Sequence, residues 1–146
     1  MRAYDGFMSD HVSLFADLSF AQVRLLDAVE TRLRADAGME TSSFLPLLAV
    51  SEHEGARVQD VALALGISVG GASKAVDRLE RAGWVKRKSH PTDRRSSTIS
   101  VTAAGRRALA KGGKAVEAAV DGSVTLAASK RTALQGALAQ LRTDLR

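Results

Sequence analysis

The sequence predicts a mainly α fold carrying one small β-hairpin, and three observations predict it. Aromatic residues make up only 4% of the 146-residue chain while alanine is abundant, which favours closely packed helices over a β-sandwich. Apolar residues recur at i, i+3, i+4 and i+7, as in Val58, Val61, Ala62 and Leu65, the spacing of one buried helix face. Two short runs rich in β-branched residues, Trp84 to Lys88 and Ser97 to Val101, bracket the turn-rich stretch Ser89-His90-Pro91-Thr92-Asp93-Arg94-Arg95-Ser96. A hydrophobic content of 45% suits one domain with a real core, so no independent second domain is expected.

In chain order, residues 1–8 read as a loose lead-in. A long helix is expected from Ser9 to about Asp36, with Phe15, Leu18, Leu25 and Val29 on one stripe and Val12, Val23, Leu26 and Leu33 beside it; Gly38 breaks it. A second helix runs from about Ser42 to Glu54, with Pro46 near its first turn, where a missing N–H is tolerated. The helix from Val58 to Leu65 ends at Gly66, which permits the left-handed conformation, and Ile67 fills the corner. Ser68 is a good N-cap for the next helix, which buries Ala72, Ala75, Val76 and Leu79 and stops near Gly83. In the hairpin Val85, Ile99 and Val101 line the inner face, while Lys86, Lys88, Arg94 and Arg95 point outward. A lone two-stranded ribbon is marginal in water, so this one must pack on the helices, through Trp84. Thr102 caps a long helix in which Gly112 and Gly113 leave open a kink, a close helix crossing or a frayed section. Ser129 caps the last helix, with Leu134, Leu138, Leu141 and Leu145 on one face.

Two short helices joined at a glycine turn and followed by a basic hairpin form a winged helix-turn-helix, in which the second helix enters the major groove of DNA. Charge agrees with that reading. Between Arg57 and Arg107 there are eleven Lys/Arg against four Asp/Glu, while the rest of the chain is slightly acidic. A solvated surface would spread its charge more evenly, so a polyanion partner is expected. Residues 41–101 form the DNA-binding region, and residues 9–36 with 102–146 form a helical dimerisation region around it. The apolar faces of those flanking helices exceed what the central module can cover. A two-fold homodimer would bury them and present two recognition helices to a pseudo-palindromic site on double-stranded DNA.

Other chemistry is not supported. With no cysteine the chain has no disulfide, no thiolate nucleophile and no Cys-based zinc site. No phosphate loop, G-x-S-x-G or H-E-x-x-H pattern occurs, so neither an enzyme nor a cofactor is expected. Glu52-His53-Glu54 invites a metal reading, but consecutive residues do not share a helix face; a solvated helix end is expected and no metal. No apolar run is long enough for a membrane span and the first residues do not resemble a signal peptide, so a cytoplasmic protein is expected.

The stretch VALALGISVGGASKAVDRLERAGWVKRKSHPTDRRSSTISVTAAG resembles the MarR (multiple antibiotic resistance regulator) family. Its specific pieces are LERAGWVKR, PTDRR and SVTAAG in that order, and the resemblance extends over nearly the whole chain. It implies a homodimer with interleaved terminal helices that binds operators, usually as a repressor, and is often released by a small molecule. In similar proteins the Arg of an Asp-x-Arg wing motif enters the minor groove. That motif falls here on Asp93 and Arg95, with Asp93 orienting the wing and Arg94 expected on phosphate. Val69, Gly70 and Gly71 depart from the Ser, Thr, Lys or Arg that relatives often carry there. Base readout then falls on Ser68, Ser73 and Lys74, with Asp77 or Arg78 beside them, and Lys86 and Lys88 complete the expected DNA-binding set. The family's effector region would include His11, Phe15, Phe44 and His53, which equally suit packing; peroxide sensing through a thiol is excluded. A competing reading is a winged-helix module that recruits a protein and binds DNA weakly or without specificity.

Overall fold

The computed structural model describes residues 9–89 and 97–145, and within them six α-helices and one β-hairpin follow the expected order. Helix α1 spans Asp10–Arg32 and continues into one π-helical turn, Leu33–Ala37, closed by Gly38 at φ +65°. The expected length holds, but the last turn is wider than an α-turn. Apolar spacing cannot separate i+4 from i+5 bonding over a single turn, so the sequence carries no sign of it. The π turn holds Leu33, the one fully buried side chain at this end.

Helix α2 spans Thr41–Ser51, three residues short of the expected end. Pro46 is buried in its second turn rather than near its start. Its missing N–H therefore deprives the Ser42 carbonyl of an in-helix donor.

Helices α3 (Val58–Leu65) and α4 (Val69–Arg81) form the helix-turn-helix. At the start of α3 the Asp60 carboxylate accepts the Arg57 N–H at 2.7 Å. Both helices end in one motif. Ile67 N–H bonds to Ala62 O at 3.1 Å and Trp84 N–H to Leu79 O at 2.9 Å, across Gly66 and Gly83 in the left-handed conformation. Ala72, Ala75, Val76 and Leu79 are buried, as their spacing requires. Ile67 is not: it is 44% exposed, and Ala62 and Leu65 supply the apolar contacts there instead.

Strands β1 (Val85–Lys88) and β2 (Thr98–Val101) pair antiparallel, with Val85 opposite Val101 and Arg87 opposite Ile99. Val85 and Ile99 are buried on the inner face and Val101 is half-buried. The ribbon gains a third segment that the sequence did not announce. Ile99 N–H donates to Ala56 O at 2.7 Å, an isolated bridge from the link between α2 and α3. Trp84 packs against both apolar clusters of the core and so joins the wing root to them.

Helix α5 runs unbroken from Ala103 to Ser123, its Thr102 cap accepting the Gly105 N–H at 3.0 Å. Gly112 settles the open question of the glycine pair: a Cβ there would meet the Phe44 ring at 2.6 Å, so this is a close helix crossing. Helix α6 spans Ala128–Asp144 with Ala127 as its N-cap, so Ser129 lies inside the helix and does not cap it. Arg131 pairs with Asp121 at 3.3 Å across the preceding connection. Neither α1 nor α6 buries a single residue within the chain.

Candidate nucleic-acid interface

The buried face of α4 determines what the opposite face presents. At about 100° per residue, Gly70, Lys74, Asp77 and Arg81 lie opposite the core, with Ser73 on one flank of that face and Arg78 on the other. Gly70, Lys74 and Arg81 are exposed, and Ser73 and Asp77 are half-buried. Ser68 is exposed at the helix start, where its Oγ accepts the Gly71 N–H at 3.1 Å. Its hydroxyl proton remains free to donate outward. Lys74 therefore lies on the open face of the helix, with Ser73 at its edge and Ser68 at its N-terminal end.

Arg78 stands apart. Its position lies at the flank of that face, and its Nη2 donates to Ser42 O at 3.3 Å, the carbonyl left without a helical donor by Pro46. The guanidinium thus braces the recognition helix against α2. A proline inside a helix announces an orphan carbonyl four residues back, but not a donor 36 residues further on.

Arg87 is a residue that sequence reasoning missed. Its Nη2 lies 2.7 Å from Asp77 Oδ1 and its Nη1 2.9 Å from Glu80 Oε2, and its backbone N–H donates to Glu80 Oε1 at 3.3 Å. These contacts tie β1 to α4. They also neutralise two carboxylates that would otherwise repel phosphate from the recognition face. The strand register keeps Arg87 on the inner side and sends Lys86 and Lys88 outward, opposite Ser100 and Thr98. Among the described residues the side chains of Lys74, Lys86 and Lys88 make no hydrogen bond or ion pair, so these cations are available to a ligand. Asp93, Arg94 and Arg95 lie outside the described residues, as does His90.

The wing root is fixed by the SVTAAG stretch. Thr102 donates its N–H to Trp84 O at 2.9 Å and its hydroxyl to Gly83 O at 2.6 Å. A Cβ at Gly105 would collide with the Trp84 carbonyl oxygen, so only glycine lets α5 start this close to the end of α4.

Behind α2 lies an open cavity of about 400 Å³ between α1, α2, α5 and α6, with Leu18, Leu25, Val29, Phe44, Leu45 and Val116 in its wall. Of the four residues expected at an effector region only Phe44 is there; His53 lines a separate cavity beside Asp60 and Arg142. Thr41 reaches the first cavity's wall, but its N–H and hydroxyl both donate to Glu30 Oε2 at 2.7 Å. Those two bonds, with Arg34 beside them, hold the Glu30 carboxyl below the usual carboxylate range. They also supply, from α1, the cap that α2 lacks at Glu40. Among the described residues no helix is long and apolar enough to cross a membrane.

A capped, outward-facing second helix, a cation-bearing hairpin hooked to it and flanking helices around both define a winged helix-turn-helix protein. The comparisons with known proteins narrow this class. A sequence model of the MarR family matches residues 37–96. The transcriptional repressor MprA of Escherichia coli K12 is 30% identical over 90 residues, 60% of this chain and 51% of that protein. The chain thus spans about half the length of that curated relative. Its fold matches CouR from Rhodococcus jostii RHA1, solved with p-coumaroyl-CoA, at a TM-score of 0.78 and 26% identity over 97% of this chain and 96% of that one. It also matches the transcriptional repressor CouR on a 23-mer DNA duplex, at a TM-score of 0.77 and 27% identity over 92% and 97% of the two chains. The chain is thus similar to the MarR family in sequence over residues 37–96 and in fold over nearly its whole length.

Proposed function

We propose that this protein is a homodimeric, sequence-specific DNA-binding transcriptional regulator, a repressor released when a small molecule occupies the cavity behind α2. The observation that carries the reading is the open face of α4, flanked by a wing whose outward lysines have no partner among the described residues. Residues 41–101 act as the DNA-binding region, and residues 9–36 with 102–146 as the dimerisation region. Ser68, Ser73 and Lys74 approach base edges or phosphates, Lys86 and Lys88 the backbone, Arg95 the minor groove and Arg94 a phosphate, with Asp93 orienting the wing. Arg78 and Arg87 hold the reading head in place. The likeness to MprA and to CouR, a repressor solved both on DNA and with p-coumaroyl-CoA, supports the regulatory role. The protein acts in the cytoplasm and catalyses nothing.

The cavity's chemistry narrows the ligand. Its wall is apolar apart from Gln22 and Thr41, and Thr41 is already bonded to Glu30. An aromatic or aliphatic group fits there, while any anionic part would have to sit at the mouth.

Selection of fragments bound from the source genome, with wild type and Arg95→Ala in parallel at near-physiological salt, tests the reading. Wild type is expected to enrich a pseudo-palindrome, and Arg95→Ala to lose most of that enrichment. If neither protein enriches any sequence, the DNA reading fails and the alternative of a winged-helix protein-recruiting module takes its place.

A further inference from the structure

We infer that Val69 determines specificity by packing on a thymine methyl group, and that Gly70 is the gap that lets the recognition helix come close enough for it. This inference rests on the DNA-binding reading. Val69 is the first residue of α4 and is 53% exposed, although its side chain is apolar and the helix has a well-formed buried face elsewhere. The first turn of a recognition helix is the part that meets base edges. Among the groups displayed in the major groove, only the thymine C5-methyl is an apolar partner; the rest are hydrogen-bond donors and acceptors. A valine there cannot serve those donors and acceptors, but it can exclude water from a methyl.

Gly70 supplies the independent observation. Its φ is not positive, and a Cβ built on it meets nothing within 4 Å, so neither backbone conformation nor internal packing requires a glycine. Glycine inside a helix is less favourable than alanine, and no described residue offsets that penalty. Gly112 and Gly105 show the contrary case, where a neighbouring group fills the space; Gly113, Gly122 and Gly136 are as open as Gly70, but they lie on α5 and α6 and not on the outward face of the recognition helix. The space in front of Gly70 opens outward, on the line of α4 opposite the core. A closely approaching base edge or sugar–phosphate would fill it. Gly71 differs, because a Cβ there would press on the capping Ser68 Oγ at 3.3 Å.

The test uses the full-length protein and the duplex recovered by selection. Each thymine of a half-site, with its symmetry mate, is replaced by deoxyuridine, which removes only the methyl. One thymine pair is expected to be sensitive, binding wild type roughly fourfold more weakly per half-site and about fifteenfold for both, as burial of one methyl implies. Val69→Ala should bind the thymine and uracil duplexes alike. Gly70→Ala should melt no lower than wild type, yet bind the selected duplex at least tenfold more weakly. A selected site with no thymine in its half-sites overturns the inference, as does uracil scanning that treats wild type and Val69→Ala identically. Undiminished binding by Gly70→Ala removes the role given to Gly70. Failure to select any sequence is a different result: it sinks the DNA-binding reading itself, and this inference with it.

Discussion

Glycines at neighbouring positions of α5 carry opposite consequences, and only three-dimensional context separates them. A Cβ on Gly112 would lie 2.6 Å and 2.7 Å from two ring carbons of Phe44 and 2.9 Å from the Met39 sulfur. Those groups are buried in one apolar cluster with Leu33 and Ala115, and Phe44 also borders the open cavity behind α2. A Cβ on Gly113 meets nothing within 4 Å. Gly112→Ala should therefore destabilise the protein by about 1–3 kcal/mol through overpacking. Gly113→Ala should stabilise it by roughly 0.5–1 kcal/mol, the helix-propensity difference between the two residues. Urea unfolding at fixed protein concentration checks both, and equal shifts for the pair would show that no close crossing exists at Gly112. In the sequence the two glycines are indistinguishable, because the difference lies in which of them faces a phenyl ring 68 residues away.

Elements are held here by polar ties that local spacing does not encode. The helix-turn-helix was legible because each of its signals is short-range: the apolar spacing of α3, the Ser68 cap and the glycines at 66 and 83 all act within a few residues. The hairpin and the Thr102 cap were legible for the same reason. What the sequence hid connects distant segments: Glu30 capping α2, Ala56 bridging Ile99, Arg87 joining wing to recognition helix, and Arg78 reaching Ser42. The Arg78 tie makes a test of brace against ligand contact. If Arg78 serves α2, Arg78→Ala weakens operator binding but leaves the salt dependence of the affinity unchanged. A phosphate contact such as that proposed for Lys74 would, when lost, reduce the slope of log K against log salt by about 0.9. A double-mutant cycle with Pro46→Ala adds a second readout, because the new alanine N–H competes for the same carbonyl. Coupling of roughly 0.5–1 kcal/mol in stability is expected, the size of one partly exposed hydrogen bond. Zero coupling together with a shallower salt slope would assign Arg78 to DNA contact and not to the brace.

At the scale of the whole molecule, apolar residues on the two flanking helices fit the homodimer proposed above. Phe15, Phe20 and Val23 on α1 are 71%, 69% and 62% exposed, and Leu134 on α6 is 46% exposed. Covering one such side chain is worth about 1.5–3 kcal/mol, so a second copy that buried several from each side would bind firmly. The proposed dimer would also account for two long helices that leave apolar faces open, since each recognition helix alone would read only half of a two-fold site. Wild type should sediment at twice its 15.4 kDa chain mass. Phe20→Glu combined with Leu134→Glu changes nothing inside either core cluster, because both side chains are exposed in the single chain. The variant should therefore retain the fold of residues 41–101 while sedimenting as a monomer. Its affinity for a full pseudo-palindrome should fall roughly a hundredfold or more, toward the affinity for an isolated half-site, as two linked contacts become one. A variant that remains dimeric would move the interface away from α1 and α6. A wild type that sediments as a monomer and binds full and half sites equally would mean that each recognition helix works alone.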